Sequence, residues 1–269
     1  MSDNQSRSPE EPLKSYRVIL KQEIHQAEAE LERPARGLFI SGLMAGFSIG
    51  FSFLAITAFV TLTESVLAPP VSAVIAANLY AIGFVVVILG RLDLFTEYTT
   101  IAILPVLTGQ SPVRQLMRLW TLIYLSNLLG CLIFALLMSS LAVSFHSLDV
   151  EVVGRLSHSL VEVTARDMVL SAFLAGWLMG LLSWLVTAAR DTTSQVLFIW
   201  LVAVTIGLPH LHHVITGSVE VLTGTFAGSG PGFGHFGRFL LWTTLGNSLG
   251  GIAFAYAIRY SLRFEGIKD

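Results

Sequence analysis

A chain of 269 residues that is 54% hydrophobic and 13% charged, with a mean hydropathy of +0.71, falls well short of the roughly 25% charge of an ordinary soluble domain. A net charge of -2, with no basic stripe, excludes nucleic acid as a partner. The single cysteine, Cys131, excludes an intramolecular disulfide and a thiolate metal cluster. The remaining class is an all-α integral membrane protein.

Residues 1–36 are polar and charged and lack an apolar core followed by a small-residue cleavage site, so no cleaved signal peptide is expected. Within them Leu13, Tyr16, Leu20, Ile24, Ala27 and Leu31 recur at steps of three and four. That spacing gives one apolar stripe. It predicts an amphipathic helix docked on the cytoplasmic face, and a gate at the cytoplasmic mouth is the sharper reading.

Six apolar stretches follow, near 38–63, 71–107, 116–143, 168–189, 195–227 and 237–260. Each is long enough for a helix to cross about 30 Å of hydrocarbon. They predict a six-span domain over 37–264 and a cytoplasmic tail at 265–269. The second stretch is too long for one straight helix and holds Arg91, Asp93, Thr96 and Glu97 at its centre. The fifth has the same excess length and holds Pro209, His210, His212, His213, Thr216 and Glu220. Irregular backbone at membrane depth persists only where protein or water covers it. Two such breaks in corresponding spans point to a solute site.

With both termini in the cytoplasm, twelve of the sixteen Lys and Arg lie inside and three, Arg155, Arg166 and Arg238, lie outside. The positive-inside rule therefore sets both termini inside, in a plasma (inner) membrane surrounded by lipid.

The order of signals repeats. Leu43-Met44-Ala45-Gly46 followed by Gly50 matches Phe173-Leu174-Ala175-Gly176 followed by Gly180. Leu119-Trp120, Asn127 and Gly130 match Leu241-Trp242, Asn247 and Gly250. Three spans per half, about 37–143 and 167–260, require the halves to be inverted, with the site at their interface near mid-membrane. Taken singly, the small residues signify only close helix packing.

At each break the second half-helix is expected to present free backbone N–H groups, its positive end, to the centre. Two converging positive ends suit an anion or a polar neutral molecule. Thr96 is expected to cap the half-helix that starts at the first break. His213, at the second, can donate a hydrogen bond or a proton near neutral pH. A weak-acid anion held beside it would cross the apolar constrictions as the neutral acid. Arg91 in hydrocarbon would need a partner, and Glu97 or Glu220 is the expected one, with Asp93 a weaker candidate.

At these residues the chain resembles the formate/nitrite transporter family. The resemblance runs from about residue 37 to 260, and its most specific piece is Leu94-Phe95-Thr96, preceded by Gly90 and Asp93. It implies an aquaporin-like fold assembled as a homopentamer, each protomer carrying a pore for small monovalent anions and no cofactor. It also implies that Thr96 and His213 are central pore groups, with Leu94, Ile206 and the signature Phe95 lining the passage. The chain departs from the pattern at Gly180, where the family often has asparagine, at Thr164 near its usual outer lysine, and at Glu97, usually a small residue.

Each of these residues has a plainer reading. His210, His212 and His213 lie close together, yet no second cluster stands at ligand spacing, so an irregular loop is expected rather than a metal site. Asn127 and Asn247 are expected to steady the breaks across helices. An anion channel or proton-coupled carrier is the leading function. A pore for neutral solutes is second, without the paired Asn-Pro-Ala of water channels. A membrane-embedded enzyme is third, for want of a nucleophile–base pair.

Overall fold

The structure, a computed structural model, describes the backbone of residues 14–264 and the side chains of 14–261. Leu13 of the predicted stripe and the tail at 265–269 lie outside the described residues. The elements in chain order are α1 (Tyr16–Glu32), α2 (Ala35–Ser48), α3 (Gly50–Thr63), α4 (Pro69–Leu89), α5 (Phe95–Ile101), α6 (Ile103–Leu107), α7 (Val113–Ser144), α8 (Val150–Ser159), α9 (Ala165–Ala188), α10 (Thr192–Gly207), α11 (Val214–Phe226) and α12 (Phe233–Phe264). No strand occurs among the described residues.

Four helical stretches are long and apolar enough to cross a membrane: Ala35–Thr63, Pro69–Leu89, Val113–Ser144 and Ala165–Ala188. Their outer faces carry residues such as Ile40, Leu125, Leu137 and Leu174, all more than half exposed. So extended an apolar surface suits hydrocarbon or neighbouring apolar chains rather than water.

The second and fifth apolar stretches are interrupted as their polar centres require. α4 ends at Leu89, and the chain leaves the helix through Arg91 at φ 55°, with the Leu92 N–H donating to the Val87 carbonyl at 3.0 Å. α10 ends at Gly207, and the chain leaves through His210 at φ 55°, with the Leu211 N–H donating to the Ile206 carbonyl at 2.9 Å. Both are left-handed C-caps of the Schellman type, built on a residue that carries a side chain where glycine is usual.

The backbone freed at each break is held by one asparagine. Asn127 Oδ1 accepts the Phe95 N–H at 2.9 Å, while its Nδ2 donates to the carbonyls of Gly42 at 2.7 Å and Asp93 at 2.8 Å. Asn247 Oδ1 accepts the Val214 N–H at 2.8 Å, and its Nδ2 donates to Ala172 at 2.7 Å and His212 at 2.9 Å. Each asparagine thus satisfies three main-chain groups in a fully buried setting. Leaving one such group bare typically costs about 1–3 kcal/mol.

Reach this short requires helices in near contact. A Cβ on Gly46 would overlap the Asn127 carbonyl, and one on Gly176 would overlap the Asn247 carbonyl. Glycine at these two positions is what lets α2 meet α7, and α9 meet α12, closely enough for the clamps to form. A third pair completes the pattern: Ser41 Oγ accepts the Asp93 N–H at 3.1 Å, and Ser171 Oγ accepts the His212 N–H at 3.0 Å.

Two elements differ from the sequence reading. The stripe of α1 is buried as expected at Leu20, Ala27 and Leu31, but it also buries the carboxylate Glu23. α8 was not anticipated. Asp149 caps it by accepting the Glu151 N–H, and Val152, Val153 and Ser157 turn inward, where the Ser157 hydroxyl donates to the Glu220 carbonyl at 2.7 Å.

Candidate functional site

The two breaks meet. Thr96 Oγ1 lies 2.7 Å from His213 Nε2, both residues buried, at the starts of α5 and α11. His213 is the N-cap of α11: its Nδ1 accepts the Thr216 N–H at 3.3 Å and lies 2.7 Å from Thr216 Oγ1. The edge of the ring faces Phe84, with centroids 5.2 Å apart and planes at 79°. Thr96 does not cap α5. Leu94 occupies the N-cap position without a side-chain bond, and Thr96, in the first turn, spends its hydroxyl on His213 instead. The expected free N–H groups are also fewer than anticipated, because the asparagine clamps take Phe95 and Val214.

Two cavities lie beside the breaks, and His213 is in the lining of the first. One, of about 380 Å³, is lined by His213, Tyr80, Ile206, Gly217, Glu220 and others. His213, Gly217 and Glu220 share one face of α11 by their spacing of four and three. The other cavity, of about 330 Å³, opens at the α1 end and is lined by Arg91, Glu97, Tyr98, Glu30 and Ser183 among others. Ile206 borders the first of these cavities. Leu94 is fully buried and lines neither cavity. Phe95 turns away from both, its ring 4.7 Å from that of Tyr124 and 6.4 Å from that of Trp120.

The charges at the breaks are arranged differently from the expectation. Arg91 is exposed at the cavity mouth and forms no ion pair among the described residues, so the bracing pair with Glu97 or Glu220 is absent. Glu97 and Glu220 line opposite cavities and cannot share one cation. Among the acids at the breaks, the fully buried one is Asp93. Arg33, just past α1, pairs with it at 3.1 Å, and the Tyr98 hydroxyl donates to it at 3.0 Å.

The three histidines diverge. His210 is exposed, and His212 lies 2.9 Å from Ser171 Oγ through Nδ1 and 2.9 Å from the Leu160 carbonyl through Nε2. Only His213 reaches the contact between the breaks. The sequence reading overlooked Tyr80, whose hydroxyl lies 2.9 Å from Thr216 Oγ1. A phenol in the middle of an apolar span was the available signal, since a buried tyrosine hydroxyl needs a partner.

Comparison with known proteins gives this geometry a setting. The family described as Formate/nitrite transporter matches residues 17–261. Inner membrane protein YfdC of Escherichia coli (strain K12) is 33% identical over 254 residues, 93% of this chain and 79% of that protein. Nitrite transporter NirC of Salmonella typhimurium is 26% identical over 227 residues, 81% of this chain and 80% of that protein. Among solved structures, an FNT family ion channel superposes with a TM-score of 0.76 at 23% identity, covering 91% of this chain and 99% of that one. A pentameric formate channel with formate bound gives a TM-score of 0.73 at 21% identity, covering 86% and 98%.

Proposed function

Because the chain belongs to the formate/nitrite transporter family, we propose that it carries small monovalent weak-acid anions across an inner membrane, with His213 handing a proton to the anion at the narrowest point. The observation that carries this reading is the 2.7 Å contact between Thr96 and His213, with His213 also lining a cavity of about 380 Å³. An anion reaching it meets hydrogen-bond donors in a setting poor in water. Neutralising the anion there avoids the cost of carrying a bare charge through apolar surroundings.

In this reading the six spans form two inverted three-span repeats, about 37–143 and 167–260, in an aquaporin-like arrangement. The matched clamps of Asn127 and Asn247, 120 residues apart, support it. A homopentamer with one pore per protomer fits the exposed apolar faces and the assembly of the formate channel it resembles.

Formate uptake into liposomes across a pH series tests the proposal. Parent protein should transport faster as pH falls, because protonation of His213 and entry of the anion favour each other. His213→Asn keeps a donor of similar size but cannot release a proton, and it should lose the pH dependence. His210→Asn and His212→Asn should keep it. Unchanged pH dependence in His213→Asn would assign the proton to another group facing the cavities, Glu220 or Glu97, and would overturn the role given to His213. Glycerol permeation without formate flux would favour the neutral-solute pore.

A further inference from the structure

We infer that the cleft between the end of α1 and the start of α7 is a phospholipid site, with Arg114 and Arg118 on the headgroup phosphate and Glu32 on a primary ammonium such as that of ethanolamine. The cleft has a volume of about 590 Å³ and is lined by Leu31, Glu32, Pro112, Arg114, Gln115 and Arg118. It shares no residue with the two cavities beside the breaks.

Its two arginines have different duties. Arg118 donates to the carbonyls of Leu31 at 3.3 Å and Arg33 at 2.9 Å. Arg238, 120 residues later near the start of α12, donates in the same way to Val161 at 3.0 Å and Val163 at 2.6 Å. The repeated bonds mark a structural clamp in each half. A guanidinium has more N–H groups than these bonds use, so Arg118 is held in place with donors to spare. Arg114 has no such duty. Its counterpart in the second half is Gly234, and among the described residues Arg114 forms no ion pair or side-chain hydrogen bond. Glu32, in the same lining, is equally unpaired, and both side chains are exposed. The cleft thus offers free donors and a free carboxylate to one bipolar group.

The face of α7 that continues from the arginines selects a lipid over a soluble ion. Leu125, Leu129 and Leu136 follow Arg118 at steps of seven, four and seven, and all three are exposed. On a helix that spacing makes one stripe with Arg114 and Arg118 at its end. From Arg118 to Leu136 the helix rises about 27 Å, near the roughly 30 Å thickness of bilayer hydrocarbon. The arginines therefore stand where acyl chains give way to headgroups. Basic pockets at this level suit lipid phosphates, and the planar guanidinium matches phosphate geometry. Glu32 narrows the choice. A carboxylate repels a headgroup of purely negative charge and accepts from the N–H groups of an ethanolamine ammonium, whereas choline has no N–H to give.

The test is native mass spectrometry of the full chain in detergent, titrated with phosphatidylethanolamine, phosphatidylglycerol or phosphatidylcholine. Parent protein should bind phosphatidylethanolamine most tightly. Arg114→Gln should weaken that binding about fivefold, the effect of one cation near a membrane surface. Lys21→Gln, which removes an exposed cation of α1 outside the cleft, should leave it unchanged. Glu32→Gln should turn the preference towards phosphatidylglycerol, and it decides the outcome should Arg114→Gln fail to assemble. Equal losses in Arg114→Gln and Lys21→Gln would overturn the inference, and so would a Glu32→Gln protein that still prefers phosphatidylethanolamine. Displacement of the lipid by inorganic phosphate would overturn it in favour of a soluble anion. Cross-linking of Leu125→Cys between copies of the assembled protein would overturn it as well, because a second copy would then cover the stripe.

Discussion

Asp93 and Arg33 are sixty residues apart, yet the pair they form seals the first break at the α1 end. The carboxylate is buried, so losing its cation leaves a charge among apolar neighbours and one remaining donor, Tyr98. Arg33→Met is expected to destabilise the folded protein by about 1–3 kcal/mol, the cost of an unsatisfied buried polar group. Adding Asp93→Asn should recover part of that loss. Arg91→Met, at an exposed position, should leave the yield of folded protein unchanged. Thermal unfolding of the detergent-purified variants checks the order, and equal losses for Arg33→Met and Arg91→Met would refute it. The same residues mark what a sequence can convey. A polar cluster inside an apolar run announces a break, because charged groups in hydrocarbon need cover. Which charge is buried depends on where the mouth of a cavity opens. That is a property of how α1, α4 and α9 come together, and it was not legible at Arg91. Thr96 and His213 were legible because each lies within a residue or two of the start of a half-helix. Tyr80 was not, since its partner lies 136 residues away.

α1 is joined to the bundle by polar contacts inside an apolar stripe. Glu23 accepts from Ser183 at 3.0 Å and from Thr187 at 2.6 Å on α9, where burial pushes its carboxyl above the ordinary carboxylate range, against those two hydroxyls. A carboxyl whose pKa is higher docked than free holds its proton better when docked. Docking of α1 is therefore strongest at low pH, and that contribution is lost as pH rises through the raised pKa. Glu30, Asp93, Glu97, Arg33 and Arg91 lie at the same end of the bundle and set the background field. Protection from hydrogen exchange across Tyr16–Glu32, corrected for the intrinsic pH dependence of the amides, should rise on acidification. Glu23→Gln, which mimics the protonated form, should be equally protected at every pH. Corrected protection in the parent protein that does not vary with pH would remove Glu23 from this role. The stripe itself was readable from its spacing, but the carboxylate within it was masked, because a polar residue on an apolar face looks like an interruption. α8 escaped for a similar reason: ten residues between two spans resemble a loop until Asp149 is recognised as a cap.

For the whole molecule, the matching of Gly46 with Asn127 and Gly176 with Asn247 makes the halves equivalent in construction. Their chemistry differs, because the N-cap positions Leu94 and His213 hold an apolar side chain in one half and an imidazole in the other. If the halves are inverted as proposed, a reporter at Ser229, between α11 and α12, should read external, and reporters before Leu13 and after Lys268 should read cytoplasmic. A cytoplasmic signal from Ser229 would sink the six-span arrangement. The matched glycines and asparagines were visible in the sequence because close helix contact tolerates only glycine, which leaves a spaced imprint. The specialisation of one half was not visible, because it depends on which side chains meet across the centre.

The anchorage of α1 has a mechanical side. Near its start, Lys14 donates to the carbonyls of Thr187 at 2.6 Å and Ala189 at 3.4 Å, at the end of α9. Near its other end, the carbonyls of Leu31 and Arg33 accept from Arg118 of α7, at 3.3 and 2.9 Å. One attachment lies on each half of the molecule, so the helix acts as a tie bar loaded along its length. A helix is stiff in that direction, and any motion that parts the halves at this end must first pull one anchor loose. The opposite end has no such bar among the described helices, so the compliance of the pair is lopsided, like a book held shut along one edge.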